Sequence, residues 1–142
     1  RSDVDFVVTF EELQAMFDAK EIDLSQYEAE SSFHDATGAG RGYACAGGVA
    51  EAIEKCINEY YPDVEVSIEH AEGLAECKKT LTLAKAGRLN GCLIEGMGCP
   101  GGCIAGAGTN IPVLKAKKDL AAYVKNSTTP IPPKELEEIE LE

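Results

Sequence analysis

The chain has 142 residues, 44% of them apolar, and a formal net charge of −12. This negative charge repels a phosphate backbone, so we exclude nucleic acid as an expected partner. No apolar run reaches the roughly 18 residues of a membrane span and no signal-peptide pattern is present, so we expect a cytoplasmic protein whose six cysteines stay reduced.

The N-terminal half predicts one strand and two helices around a long loop. Residues 4–8, Val-Asp-Phe-Val-Val, predict a short buried strand, and residues 9–12, Thr-Phe-Glu-Glu, form a capping box that starts a helix. Residues 23–42 are polar and punctuated by glycine, which predicts a long surface loop. Gly47 and Gly48 then precede an amphipathic helix, whose apolar stripe is Val49, Ala52, Ile53, Cys56, Ile57 and Tyr60.

The C-terminal half predicts two strands and two helices. Alternating apolar residues at 64–68 predict a strand with one buried face, and a helix that ends at Gly87 follows it. Residues 92–94 predict a strand that leads directly into a glycine-rich segment at 96–108, and Pro112 can open a last helix. The apolar stripe expected on the helix before Gly87 is Leu74, Cys77, Leu81 and Ala84.

The order of these elements predicts an α/β fold, a small twisted sheet flanked by helices. We expect one domain over residues 1–127, long enough for a sizeable core without disulfides. Residues 128–142 change to a proline-rich connector and an acidic tail. Because the chain begins with Arg1 rather than Met, we expect it to be a piece of a longer protein.

The glycine-rich segment contains Cys99-Pro100-Gly101-Gly102-Cys103, in which two thiols lie four positions apart on a backbone that favours a tight loop. Soft thiolates favour iron–sulfur clusters or zinc, and glycines allow backbone N–H groups to approach cluster sulfides closely. From the spacing alone, a metal site is favoured over a glycine-rich turn with two incidental cysteines.

For the histidines, the remaining cysteines and the glycines at 38–48, the sequence predicts structural roles. His34 and His70 have no partner at recognisable ligand spacing and are expected at the surface. The glycines at 38–48 lack both the preceding strand and the Lys-Ser/Thr pair of a phosphate-binding loop. Since small thiols are common in protein cores, we expect packing roles for Cys45, Cys56, Cys77 and Cys92.

Three segments carry a resemblance to a known family, the [FeFe] or iron-only hydrogenases. Residues 95–103, Glu-Gly-Met-Gly-Cys-Pro-Gly-Gly-Cys, resemble the last of the family's three cysteine motifs, M-x-C-P-G-G-C. Residues 4–13 are similar to the strand and capped helix that follow the second motif, and residues 38–52 to the stretch with a G-G-V-x-E-A helix start beside the active site. The resemblance covers roughly residues 3–108 and implies one lobe, the C-terminal part, of the hydrogenase catalytic domain.

The resemblance also implies the site residues. Cys99 would ligate the [4Fe–4S] half of the H-cluster, and Cys103 would ligate it and bridge to the two-iron subcluster. Catalytic roles would then fall to Cys103 and to Met97, which would pack near the two-iron site. The cofactor contacts implied besides the two thiols are Met97, Tyr43, Gly47 and Gly48.

An intact member of the family catalyses reversible H₂ oxidation and proton reduction with ferredoxin-like electron carriers. Its other cluster cysteines would lie in an N-terminal remainder before Arg1, so this chain alone is predicted to be inactive. After Cys103 the family usually reads x-N-G-G-G-Q, whereas residues 104–109 read Ile-Ala-Gly-Ala-Gly-Thr, and Ala46 replaces a usual Thr. These departures favour an H₂-sensing, regulatory module as an alternative, and an iron–sulfur assembly factor is a further one.

Overall fold

The structure, a computed structural model, describes residues 3–28 and 36–134. The expectations for His34 and for the acidic residues 135–142 lie outside the described residues. Within the described part the α-helices are α1 (Phe10–Ala19), α2 (Gly38–Arg41), α3 (Gly48–Tyr60), α4 (Leu74–Lys85) and α5 (Val113–Lys125). The strands are β1 (Ser67–Glu72) and β2 (Cys92–Met97). The α/β class predicted from the sequence is confirmed.

The two strands form a parallel pair connected by α4, with register partners from Ser67 with Cys92 to Glu72 with Met97. One face of the pair is covered by α4, since the Cys77 thiol lies 3.6 Å from the Ala71 carbonyl oxygen. The other face is covered by α3, whose second residue Val49 donates its N–H to the Glu95 carboxylate. The carboxyl ends of parallel strands meet at one edge, so both strands deliver the chain to the same place.

The strand predicted at residues 4–8 is wrong: this segment is irregular and exposed, with Phe6 88% and Val7 87% accessible. Apolar composition is not sufficient for a strand, because ladder hydrogen bonds to a neighbouring strand are also required. In the described residues the sheet consists of β1 and β2. The capping box is confirmed, as the Thr9 side chain accepts from the Glu12 N–H and the Glu12 carboxylate accepts from the Thr9 N–H.

The strand predicted at residues 64–68 is displaced, because β1 begins only at Ser67. Pairing decides this boundary. β2 starts at Cys92, directly after Gly91 with φ +74°, so the ladder offers nothing opposite residues 64–66. Val64 instead closes a turn by donating its N–H to the Tyr61 carbonyl.

The long surface loop predicted at residues 23–42 is only partly correct. Residues 38–41 form α2, in which Gly38 and Ala39 are buried. Their N–H groups donate to the carbonyls of Thr129 and Pro130, and the Tyr60 hydroxyl donates to Pro132. The proline-rich segment therefore packs on α2 and α3. The domain boundary after residue 127 stays a prediction.

The buried apolar side chains of the described residues are all alanine: Ala39, Ala50, Ala52, Ala71 and Ala116. This core is smaller than expected from the chain length, since two strands and short helices enclose little volume. The apolar stripe predicted on α4 is wrong at two positions, because Leu74 and Leu81 are 78% and 62% exposed. The helix end at Gly87, with φ +73°, is confirmed. None of the described helices has the length and apolarity to cross a bilayer.

Candidate functional site

The cysteine loop, residues 98–103, leaves the carboxyl end of β2 and turns sharply at two glycines. Gly101 and Gly102 have φ of +89° and +87°, a backbone region that residues with a Cβ rarely adopt. The Gly102 N–H donates to the Cys99 carbonyl at 3.1 Å, and a 3₁₀ turn begins at Cys103. Both cysteine side chains are exposed.

This loop packs directly on the backbone just before α3. A Cβ added at Gly102 would lie 2.5 Å from the Ala46 nitrogen and 2.6 Å from the Ala44 carbonyl oxygen. The Ala46 N–H donates to the Gly101 carbonyl at 3.2 Å. The sequence segments at 38–52 and 95–103 are therefore brought into contact.

Gly47 and Gly48, which the resemblance makes cofactor contacts, have steric reasons to be glycine. Gly47 is the N-cap of α3 with φ +87°, and a Cβ on Gly48 would lie 2.0 Å from the Gly42 carbonyl oxygen. The backbone of residues 42–48 therefore forms a tight turn that brings Gly48 against the Gly42 carbonyl. Their role as cofactor contacts stays a prediction.

Met97 and Tyr43 line different cavities. Met97 is half-buried at the end of β2 and lines a cavity of about 240 Å³ between α3 and the sheet, with Val49 and Ile53. Tyr43 lines a different cavity of about 410 Å³ between α2 and α3, with Cys56 and Tyr61. The apolar wall around a cofactor that the resemblance implies for both side chains stays a prediction.

A buried carboxylate on β2 was not recognised from the sequence. Glu95 is 8% exposed; its Oε1 accepts from the Val49 N–H at 3.1 Å and its Oε2 lies 3.0 Å from His70 Nδ1. His70 is exposed as expected, but it has this carboxylate as a partner. The two residues face each other as register partners of β1 and β2, 25 positions apart in the chain, so only the sheet register reveals the pair.

A second carboxylate contacts the cysteine loop itself. Glu72, the last residue of β1, accepts the Gly101 N–H on its Oε2 at 2.7 Å. On one face of the sheet, Glu95 thus holds the start of α3 and Glu72 holds the loop. No spacing rule in the sequence connects Glu72 with Gly101.

The four remaining cysteines lie outside the loop and are half-buried. The Cys77 thiol lies 3.6 Å and 3.7 Å from the carbonyl oxygens of Ala71 and Met97, which ties α4 to both strands. Cys45 lines a cavity of about 280 Å³ between α3 and α5. Over residues 3–28 and 36–134, no group of three or more His, Cys, Asp or Glu side chains converges as a metal site.

These features define an α/β domain that presents two exposed thiols on a glycine-rich loop at the carboxyl edge of a parallel strand pair. The family described as iron only hydrogenase large subunit, C-terminal domain, matches residues 1–107. The match includes the loop and the segment on which it packs. The chain belongs to this family. A search of curated proteins finds no match.

Proposed function

We propose that this chain supplies two of the cysteine ligands of an H-cluster in an iron-only hydrogenase catalytic domain. The observation that carries the proposal is the exposed pair Cys99 and Cys103 on a loop that lies inside the family match. Thiolates are the usual ligands of [4Fe–4S] clusters.

The residues present fit half of such a site. The cluster cubane needs four protein thiolates, and the loop offers two in a part of the chain that is open to another polypeptide segment. Gly101 and Gly102 let the loop pack closely on Ala105 and on the backbone of residues 44–46, where an added Cβ would not fit. The other two ligands would come from the N-terminal remainder of the hydrogenase domain.

In this arrangement Cys99 and Cys103 would hold the cubane, and Cys103 would also hold the two-iron subcluster. When bound, the cluster would supply the interconversion of H₂ with protons and with electrons from ferredoxin-like carriers. The chain's own contribution is to hold the thiols in place and to shield the site, the second role falling to Met97, two residues before Cys99. Alone, the chain is expected to be inactive because it holds only two thiol ligands on this loop.

The test joins the chain to the N-terminal part of a hydrogenase catalytic domain and matures the product anaerobically. Infrared bands of CO and CN⁻ are expected from the assembled protein and should be lost in Cys103→Ser. Cys56→Ser is the matched control, since Cys56 lies on α3 outside the loop and should leave the bands unchanged. Absence of the bands from the unsubstituted protein would overturn the proposal. Iron–sulfur content without diatomic ligands would favour an assembly factor instead.

An H₂-sensing module is the second candidate, and the position of Ala46 favours it. Ala46 donates its backbone N–H to the Gly101 carbonyl of the cysteine loop at 3.2 Å and stands where the family usually has a threonine. Ala105, Ala107 and Thr109 also replace usual family residues after Cys103. A sensor would show the infrared bands with low H₂ turnover, whereas high turnover would exclude it.

A further inference from the structure

Gly101, in the middle of the cysteine loop, is held from two sides. Its N–H donates to Glu72 Oε2 at 2.7 Å, and its carbonyl accepts the Ala46 N–H at 3.2 Å. Both polar groups of one peptide position are therefore bonded to segments outside the loop. Of these two contacts, only the one to Glu72 is made by a side chain.

The backbone that carries Glu72 is itself fixed. Glu72 is the last residue of β1, opposite Met97, and its N–H donates to Glu76 Oε2 in the first turn of α4. The next residue, Gly73, donates its N–H to the Met97 carbonyl at 2.8 Å. The carboxylate thus starts from a position defined by β1, β2 and α4 together.

A carboxylate is a strong acceptor for a backbone N–H, since charge-assisted hydrogen bonds are shorter and stronger than neutral ones. The loop needs such a contact because its glycines are free to adopt many conformations in an unconstrained chain. A glutamate whose only role is to interact with water would not need to place its carboxylate against the Gly101 N–H.

We infer that Glu72 is a positioning residue for Cys99 and Cys103. By bonding the Gly101 N–H it restricts the loop to the conformation in which both thiols are exposed, before any metal binds. The inference rests on the proposed function only in naming the two thiols as ligands.

The first measurement is amide hydrogen exchange at Gly101 in the chain as it is. In Glu72→Ala the exchange at Gly101 is expected to become about tenfold faster, because the acceptor is lost. Glu72→Gln keeps a side-chain oxygen at the same reach and is expected to restore slow exchange. Glu65→Ala, an exposed glutamate before β1, is the matched control and should not change the rate.

The second measurement uses phenylarsine oxide, in which one arsenic binds two thiols with loss of one water. The affinity of Glu72→Ala is expected to be about tenfold lower than that of the unsubstituted chain, with single-thiol alkylation rates nearly unchanged. Cys99→Ser and Cys103→Ser should each abolish the two-thiol binding. Glu72→Gln is expected to recover the affinity, which a merely structural loss of stability would not predict.

Glu72→Asp covers the case in which the alanine variant does not fold. It keeps the charge but is one methylene shorter, so it should behave like the alanine variant at Gly101. Unchanged Gly101 exchange and unchanged arsenical affinity in Glu72→Ala or Glu72→Asp would overturn the inference. None of these measurements uses iron, so the inference can fail while infrared bands form, and the proposed function can fail while the inference holds.

Discussion

A side chain at Gly102 would collide with the backbone of residues 44–46. The added Cβ would lie 2.5 Å from the Ala46 nitrogen. In addition, the Gly102 φ of +87° is unfavourable for any residue with a Cβ. We therefore expect Gly102→Ala to lower the free energy of unfolding by about 2–3 kcal/mol, measured by urea denaturation. Gly98→Ala is the control within the same loop, because nothing lies within 4 Å of the added Cβ and its φ is not positive. Equal stability of the two variants would contradict the packing described for Gly102.

Glu95 combines burial with two hydrogen-bonding partners, Val49 and His70. In Glu95→Leu the Val49 N–H loses its acceptor at the start of α3, and a loss of about 1–3 kcal/mol in the free energy of unfolding is expected. Glu95→Gln keeps an oxygen for Val49 and an amide group for His70, so it should lose less. The comparison is made by chemical denaturation at neutral pH. A leucine variant as stable as the glutamine variant would show that the carboxylate position carries no such contact.

Among the elements, those set by neighbouring residues are the ones that the sequence predicts well. The capping box before α1 joins residues three apart, and the left-handed Gly87 ends α4 through its own backbone. The bounds of β1 are predicted less well because they depend on pairing with β2, about 25 residues away. The contacts of Glu72 and Glu95 are not predictable from spacing, since they exist only once the strands pair. The cysteine loop itself was found from its motif.

The 3₁₀ turn at Leu24–Gln26 is an element whose stability should depend on pH. The pKa of Asp23 lies below its usual value because the Ser25 hydroxyl and the Ser25 N–H donate to its carboxylate. A lowered pKa means that the cap is fully present above the usual pKa of 3.8 and is lost as pH falls through the lower folded value. We expect the Ser25 amide resonance to shift below about pH 4 in an NMR titration.

The cap of α2 provides an internal control for this titration. The Thr37 hydroxyl accepts from the Gly40 N–H and does not ionise, so the Gly40 amide should not follow the same transition. Asp23→Asn keeps an acceptor oxygen and should remove the transition at Ser25. A Ser25 shift that persists in this variant would assign it to another group.

At the scale of the whole molecule, large apolar side chains lie outside the alanine core. Phe6 and Val7 are the most exposed of those at the N-terminal end, at 88% and 87%. We expect the double substitution Phe6→Ser and Val7→Ser to change the free energy of unfolding by less than about 0.5 kcal/mol, since little contact is lost. The same variant should aggregate less in light scattering.

Ala50→Ser shows whether the assay detects a change in the core. Ala50 is 1% exposed on α3, and an added hydroxyl without a partner should cost about 1–3 kcal/mol. If the double serine variant is as destabilised as Ala50→Ser, residues 6 and 7 make contacts that the exposed fractions do not indicate. If it is not, the exposure described for residues 6 and 7 is supported.

The β1–α4–β2 unit occupies one uninterrupted stretch, residues 67–97, and this has a consequence for the order of folding. Its strand pairing closes a short loop of chain, so its entropic cost is low and it can form without the N-terminal segment. We expect amides of β1, α4 and β2 to become protected together and before those of α1 in pulsed hydrogen exchange during refolding. Simultaneous protection of α1 would contradict this order. The edge of the sheet that leads into the cysteine loop would then be among the first parts of the chain to take its final form.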